Sequence, residues 1–400
     1  MGTALAQLLA IVAMPVLSRL YSPGDFGALA VFMAVSSIVA TAVTLRYETS
    51  ILLPKKEQEA ISLVLLSLAL AMFLGMACGA IVWLLPAGIR ATLGVSAVGG
   101  WLPVAVAAGI ATAMVAIGTA WLNRQRAYLK IAQLRITQSA LGALLGIGLG
   151  IYGYGAGLLA AQFVSLLVVA VIAIAGLVTM FTRWRKQDIN DVARAQIAAP
   201  KYLLPTALLD VVTLQLPVLL ITAWFSSEAA GQFSMAWKIL ALPMALVGAA
   251  VGQVFFERIS ADIHSNIDLV RRRYVRVSLM LGGVAIFPAL LVATYGEELF
   301  EFVLGQAWGA SGKMAELLVI SMSMYFVFSP TTSILLVLAR QKVLLGFSVL
   351  QLAYRLSAAL VSSDMMEYIR LLVICEFINV VLFELVVVYF LNAGKAKAAT

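Results

Sequence analysis

The chain has 400 residues, of which 63% are apolar and 12% are charged, and its mean hydropathy is +1.02. Soluble domains have roughly half apolar and a quarter charged residues, so this composition excludes an ordinary soluble protein and indicates that a lipid bilayer is the solvent. The net charge of +8 does not indicate nucleic-acid binding, because the basic residues lie in loops where membrane topology and anionic lipid account for them.

Twelve apolar segments run along the chain, each of roughly 17–25 residues, the length that crosses a hydrocarbon core about 30 Å thick. They predict transmembrane helices near residues 2–18, 26–45, 60–85, 101–122, 131–154, 157–181, 203–224, 232–255, 275–295, 315–338, 343–361 and 371–391. The longest predicted periplasmic gap runs from about 296 to 314, which leaves no soluble catalytic or receptor domain. We therefore predict an all-α polytopic membrane protein.

Most of the 27 Lys and Arg residues fall in alternate gaps between these segments. The cationic clusters lie at 46–56, 124–135, 183–201, 258–276, 340–342 and 395–397. Short cationic loops stay on the cytoplasmic side of a membrane. The pattern therefore predicts a multi-pass protein of the bacterial inner membrane with both termini in the cytoplasm.

Short matches between the two halves indicate an internal repeat. The sequence Pro-Val-Leu at 15–17 recurs at 217–219, and each copy is followed by a polar turn and a glycine, Gly27 or Gly231, that opens the next span. The cationic tripeptide at 124–126 has a counterpart at 340–342. These matches align span one with seven, two with eight and five with eleven.

An offset of six spans predicts a parallel repeat, with two pseudo-symmetric six-helix bundles related by an axis along the membrane normal. We predict an N-terminal lobe at residues 1–190 and a C-terminal lobe at residues 191–400, divided within the polar segment 182–202. Two facing bundles suit alternating access, in which one bundle rocks against the other around a central site. The repeat therefore favours a transporter.

Five charged residues lie at least five residues from either end of a predicted span: Asp210, Lys238, Arg355, Glu376 and Glu384. Each costs about 2.5–3.5 kcal/mol near the bilayer centre, so each is expected to face a cavity or a partner. One interpretation is a cationic cavity for an anionic head group, with buried acids that bind a coupling ion. The other is structural, with Arg355 paired to Glu376 and Lys238 reaching toward the interface along its stem.

Cofactor chemistry has little support in the sequence. The two cysteines, Cys78 and Cys375, lie in separate spans without a metal-binding spacing, and the one histidine, His264, cannot build a zinc site. No nucleotide-binding P-loop motif occurs. We therefore expect no cofactor, no bound metal and no ATP hydrolysis by this chain.

Several stretches resemble the bacterial O-antigen and capsular polysaccharide flippases, the Wzx-like proteins of the multidrug/oligosaccharidyl-lipid/polysaccharide exporter superfamily. The resemblance follows the chain in order and covers nearly all of it. The stretches are Pro15-Val16-Leu17-Ser18-Arg19-Leu20-Tyr21-Ser22-Pro23 with Asp25-Phe26-Gly27, Leu45-Arg46-Tyr47-Glu48, Gln215-Leu216-Pro217-Val218-Leu219-Leu220, Gly252-Gln253-Val254-Phe255-Phe256, Leu304-Gly305-Gln306-Ala307-Trp308 and Leu338-Ala339-Arg340-Gln341.

The resemblance implies movement of an undecaprenyl-diphosphate-linked glycan from the cytoplasmic to the periplasmic leaflet, driven by an ion gradient. It places Arg46 and Lys238 at the substrate cavity, with Arg355 as a further candidate cation. It makes Asp210 the first candidate for ion coupling, and Glu376 is the second candidate because it is an acid inside a predicted span. The family more often has Arg where Lys238 stands. The implied partners are membrane lipid and the lipid-linked glycan, with a polysaccharide polymerase as a candidate protein partner and no nucleic acid.

Two alternatives stay open at this point. A multidrug or other exporter of the same superfamily would need acids rather than Lys238 in its cavity if it carried organic cations. Flipping of lipid II is a variant of the flippase function that the resemblance implies. A membrane polysaccharide polymerase or ligase would need a large periplasmic loop with catalytic residues, and the sequence has no such loop. We therefore expect a transporter rather than an enzyme.

Overall fold

The computed structural model describes residues 2–181, 189–243, 247, 249–262, 267–328, 332–338 and 340–398. Every regular element in these ranges is helical. The chain divides into two compact units, Met1–Gly231 and Gln232–Thr400. The lobe boundary at residue 190 stays a prediction; residues 182–188 of the predicted boundary segment, like His264, lie outside the described residues.

The first unit holds the following helices. They are α1 (Gly2–Leu20), α2 (Pro23–Val43), α3 (Glu57–Leu84), α4 (Ala87–Thr92), α5 (Leu102–Arg124), α6 (Tyr128–Ile151), α7 (Gly157–Ala175), α8 (Val178–Phe181), α9 (Ile189–Ala195) and α10 (Leu204–Trp224). A 3₁₀ turn at Tyr47–Leu52 joins α2 to α3, another at Ser96–Trp101 precedes α5, and a π turn at Ala199–Leu203 precedes α10. Helix α11 (Ser227–Pro243) begins in this unit and continues into the second.

The described part of the second unit continues with six further helices. They are α12 (Ala249–Asp262), α13 (Ile267–Leu304), α14 (Gly309–Phe328), α15 (Thr332–Val337), α16 (Gln341–Val361) and α17 (Met365–Ala398). A 3₁₀ turn at Gln306–Trp308 leads from α13 into α14. Trp308 of this turn is fully buried.

Ten helices in the described part of the chain are long and apolar enough to cross a membrane, and a shorter apolar helix lies at Leu5–Leu20. The remaining predicted span, the eighth, is occupied by α11 and α12. Each of the twelve segments predicted from hydropathy thus has a helix. The prediction of an all-α membrane protein is confirmed.

The predicted gap at 296–314 is helical over most of its length. Helix α13 is a single element of 38 residues that ends at Leu304, with a kink at Tyr295, and α14 begins at Gly309. At 1.5 Å per residue, α13 is about 57 Å long, well beyond a hydrocarbon core of about 30 Å. Its polar ends therefore extend past the apolar layer as helix rather than as loop.

The turn between α1 and α2 shows how local sequence sets an element. The hydroxyl of Ser22 accepts a hydrogen bond from the backbone N–H of Asp25, and the Asp25 carboxylate accepts one from the N–H of Ser22 at 2.9 Å. This is a capping box, and Pro23 at the first helical position is pre-set for the helix. The start of α2 is thereby fixed within the first unit.

Glycines allow the start of α2 to touch the start of α11 within the first unit. A Cβ atom at Gly27 would lie 1.8 Å from the backbone oxygen of Ser227, and one at Gly231 would lie 1.8 Å from that of Pro23. The Ser227 hydroxyl also donates to the Gly24 carbonyl at 3.0 Å. Only glycine permits such an approach of two backbones.

Candidate functional site

A cavity of about 520 Å³ opens in the first unit, between the chain segment that follows α2 and helices α5, α6 and α7. Its lining combines charged, amide and hydroxyl groups with apolar side chains. The polar members include Arg46, Glu48, Thr112, Thr119, Asn123, Arg135 and Gln138, and the apolar members include Leu52, Val115, Leu134 and Val169. By the predicted topology this end of α2, α5 and α6 is the cytoplasmic one.

The backbone after α2 turns sharply and directs two charged side chains to this cavity. Leu45 and Arg46 have left-handed conformations, with φ of 48° and 63°. Arg46 then donates from Nη1 to Oε1 of Glu48 at 3.1 Å, with the Arg46 side chain 33% exposed and the Glu48 side chain 7% exposed. Arg46 Nε and Glu48 Oε2 are both buried without a hydrogen-bond partner among the described residues.

The rest of this turn is anchored to its own unit. Arg124 Nη1 donates to the carbonyl of Ile51 at 3.0 Å, and the Tyr47 hydroxyl donates to the carbonyl of Ala193 at 3.3 Å. Burial raises the pKa of Tyr47 still further above neutrality. Arg46 and Glu48 therefore project from a turn that hydrogen bonds hold to the rest of the first unit.

A second group of charged and polar side chains is buried in the C-terminal unit. Arg355 on α16 donates from Nη2 and Nε to Oε1 of Glu376 on α17, at 2.6 and 3.0 Å. These two side chains are 6% and 2% exposed. The Tyr325 hydroxyl donates to the other carboxylate oxygen of Glu376. It accepts in turn from Gln351 Nε2 at 3.1 Å and Asn379 Nδ2 at 3.4 Å.

The structure thus brings together two of the five predicted site residues, Arg355 and Glu376, as the structural interpretation expects. Lys238 on α11 belongs to the second unit and has an exposed side chain. Asp210 on α10 belongs to the first unit and is also exposed. Glu384, the remaining acid inside the predicted spans, accepts a hydrogen bond from Tyr274.

Sequence reasoning did not single out Glu48, Asn123 or Gln138 as site residues, and it used Arg135 only as a marker of topology. Glu48 lies two residues after Arg46 and just past a predicted span, which is a weak signal for a charged pair. Its approach to Asn123 and Gln138 depends on tertiary packing. In the described residues, no group of three or more His, Cys, Asp or Glu side chains could hold a metal ion.

Comparison with known proteins places these features in context. The profile of the family described as polysaccharide biosynthesis protein matches residues 16–313. None of the curated proteins matches the sequence. Solved structures match across nearly the whole chain, at 12–15% identity, and so describe the fold.

One similar structure is the inward-facing form of a multidrug resistance transporter of the MATE family, in the MOP superfamily, with a TM-score of 0.79 and 13% identity over 98% of this chain and 96% of that chain. Another is the lipid II flippase MurJ in an inward closed conformation, with a TM-score of 0.74 and 12% identity over 96% and 86%. A third is the bent form of the Vibrio cholerae MATE transporter VcmN, with a TM-score of 0.59 and 15% identity over 98% and 96%. These fold similarities confirm the predicted fold class, an all-α membrane protein with twelve transmembrane helices in two six-helix bundles.

Proposed function

Because the chain belongs to the polysaccharide biosynthesis protein family and has the fold of MOP-superfamily transporters, we propose that it is a lipid-linked oligosaccharide flippase. Its proposed substrate is an undecaprenyl-diphosphate-linked repeat unit of O-antigen, capsule or exopolysaccharide. The proposed direction is from the cytoplasmic to the periplasmic leaflet of the bacterial inner membrane, by alternating access driven by an ion gradient. Both termini then lie in the cytoplasm, and a polysaccharide polymerase is a partner on the periplasmic side.

The observation that carries this proposal is the cationic character of the cavity in the first unit. Its lining contains Arg46 and Arg135 against one acid, Glu48, and the Arg46 side chain retains a buried N–H without a partner in the described structure. A diphosphate that leaves water needs charged donors to offset its desolvation. A cavity for organic cations would need the opposite balance of charge, which disfavours an exporter of cationic drugs.

Each predicted site residue has a place in this proposal. Arg46 and the exposed Lys238 are the cations that we assign to the head group. Asp210, an exposed acid on a membrane-spanning helix, is the first candidate for ion coupling. Arg355 and Glu376 neutralise each other here, so they act on substrate and ion only in a state where their pair is open.

A second candidate function is export of another amphipathic compound, because the overall fold also resembles a multidrug transporter of the MATE family. Polymerase or ligase activity is disfavoured, since both resembling groups are transporters and the described helices leave no large periplasmic loop between α13 and α14. We therefore propose that the protein is not an enzyme.

Deletion of the gene tests the proposal. We expect complete single repeat units on undecaprenyl diphosphate to accumulate, detected by mass spectrometry of extracted lipid and protected from an impermeant glycosidase added to spheroplasts. Repeat units that accumulate on the periplasmic face would instead indicate a polymerase or ligase. Normal lipid pools together with increased drug sensitivity would support the exporter.

Complementation of this deletion tests the role of Lys238. Lys238→Ala is expected to abolish surface glycan at a normal protein level, because it removes a cation from a membrane-spanning helix. The matched control is Lys342→Ala at the start of α16, an exposed lysine on the predicted cytoplasmic side. Full surface glycan from a well-expressed Lys238→Ala protein would remove this residue from the proposed site.

A further inference from the structure

The carboxylate of Glu48 is only half used by the protein. Its Oε1 accepts from Arg46 at 3.1 Å, whereas Oε2 is buried without a hydrogen-bond partner among the described residues. The Glu48 side chain is 7% exposed and lines the 520 Å³ cavity. Buried polar atoms in proteins nearly always have a partner, so this oxygen is placed to accept from a donor that enters the cavity.

The other polar side chains that line the cavity supply hydrogen-bond donors, and some of them can both donate and accept. Arg46 Nε is a buried donor without a partner in the described structure, and the Arg135 guanidinium adds further N–H groups. Asn123, Gln138 and Thr119 can each donate and accept. The volume lies within the range of about 300–1,000 Å³ that is usual for small-molecule sites.

This combination distinguishes between classes of ligand. The two arginines can hold a diphosphate in the cavity, but a phosphate oxygen placed against Glu48 Oε2 would be repelled, because it only accepts. An organic cation would be repelled by Arg46 and Arg135. A sugar offers hydroxyl groups that donate and oxygens that accept, with C–H faces that can pack on side chains such as Leu134 and Val169. The lining beside Glu48 therefore fits a polyhydroxylated ligand.

We propose that this cavity binds a sugar residue of the lipid-linked glycan. A sugar hydroxyl donates to Glu48 Oε2, and sugar oxygens accept from Arg46 Nε and from Arg135. The inference rests on the proposed function and adds to it, because it gives the protein a contact with the glycan that is separate from recognition of the diphosphate. Glu48 becomes a residue for substrate specificity.

Native mass spectrometry of the full chain tests this inference with two probes. One is the lipid-linked oligosaccharide extracted from the deletion strain, and the other is undecaprenyl diphosphate without sugar. Glu48→Gln keeps the side-chain volume but replaces the charged acceptor. It is expected to weaken binding of the first probe about tenfold, the effect of losing one hydrogen bond to a charged group, while binding of the second stays within about twofold.

A second pair of variants keeps the test valid if Glu48→Gln protein does not fold. Thr119→Val removes a hydroxyl from the cavity at nearly constant shape. Its control is Thr92→Val on α4, where the hydroxyl donates to the carbonyl of Gly88 outside the cavity. Thr119→Val is expected to weaken only the glycan-bearing probe, and Thr92→Val neither probe.

Equal weakening of both probes by Glu48→Gln or Thr119→Val would overturn the inference, because these residues would then contribute no more to binding of the glycan than to binding of the diphosphate. Unchanged binding of both probes in these variants would overturn it as well. Failure of the proposed function gives a different result: the wild-type protein would then bind neither probe, and the deletion strain would not accumulate the first.

Discussion

The two groups of charged side chains differ in how far the protein itself satisfies them. In the C-terminal unit, both carboxylate oxygens of Glu376 have donors, from Arg355 and from Tyr325. In the first unit, Glu48 and Arg46 share one hydrogen bond beside a cavity and each keeps a buried atom without a partner in the described structure. The Glu376 carboxylate is therefore fully paired, whereas the Glu48 carboxylate can still accept a hydrogen bond from a ligand.

This difference shows that charge inside a membrane protein is not in itself a mark of a binding site. Glu376 lies in the apolar stretch of α17, and its predicted depth made it a candidate site residue. In the structure its neighbours supply hydrogen bonds to both of its carboxylate oxygens. Glu48 lies just beyond a predicted span and attracts little attention. The state of the hydrogen bonds, rather than depth, separates a structural pair from a candidate site.

The largest expected effect comes from Glu376→Gln, which would leave the buried Arg355 without its counter-charge. Loss of one partner of a buried ion pair destabilises proteins by about 3–5 kcal/mol. We expect loss of most folded protein, measured by thermal unfolding and size-exclusion profiles in detergent. Glu57→Gln, at an exposed position at the start of α3, is the control. Wild-type stability of Glu376→Gln protein would show that the pair is dispensable.

Tyr325→Phe comes next, because it removes one hydroxyl that joins Glu376, Gln351 and Asn379. Buried groups left without their partner cost about 1–3 kcal/mol, so a clear decrease in the unfolding temperature is expected. Tyr152→Phe, at a side chain that is 88% exposed, should leave the unfolding temperature unchanged. Equal unfolding temperatures of the two variants would mean that the Tyr325 hydroxyl does not stabilise the C-terminal group.

Glu48→Gln makes the same chemical change as Glu376→Gln but should have a much smaller effect on stability. Its partner Arg46 is one-third exposed and Glu48 Oε2 has no partner among the described residues, so loss of the charge is expected to cost less than at the fully paired Glu376. The unfolding temperature measured beside that of Glu376→Gln gives the direct comparison. If both variants unfold alike, Glu48 is a structural residue and the contrast between the two regions fails.

The smallest effect is expected for Glu297→Gln in the second unit. Glu297 on α13 pairs with Lys313 on α14 at 3.0 Å, but the side chains are 36% and 54% exposed. Water and salt screen such pairs, so no measurable change in the unfolding temperature is expected at physiological ionic strength. A substantial decrease in the unfolding temperature would show that exposed ion pairs stabilise this protein. Burial of an ion pair would then not predict its contribution to stability.

Hydropathy and charge predicted much of this fold, because a bilayer imposes span length and loop charge directly on the sequence. The helices of the twelve predicted spans and the pairing of Arg355 with Glu376 were both within reach of such reasoning. The helical structure of segment 296–314 was harder to predict. Its acidic residues indicate contact with water, but a helix can continue from the membrane into water. Hydropathy therefore located the apolar core of α13 and underestimated its length.

The cavity in the first unit could not be predicted in the same way. Helical periodicity continued past α2 would carry Glu48 away from Arg46, and it is the left-handed backbone at Leu45 and Arg46 that turns both toward the cavity. Asn123 and Gln138 reach the same space from α5 and α6 through helix packing. Contacts of this kind depend on tertiary structure, which a single sequence does not display.

Helix α13 has one further consequence. Its basic residues, Arg271–Arg273 and Arg276, lie near its N-terminus, and the acids Glu297, Glu298 and Glu301 lie near its C-terminus. A membrane potential that is negative inside acts on each charge with about 2.3 kcal/mol per 100 mV across the whole bilayer. With the proposed topology, the voltage of the cell therefore favours this orientation of α13.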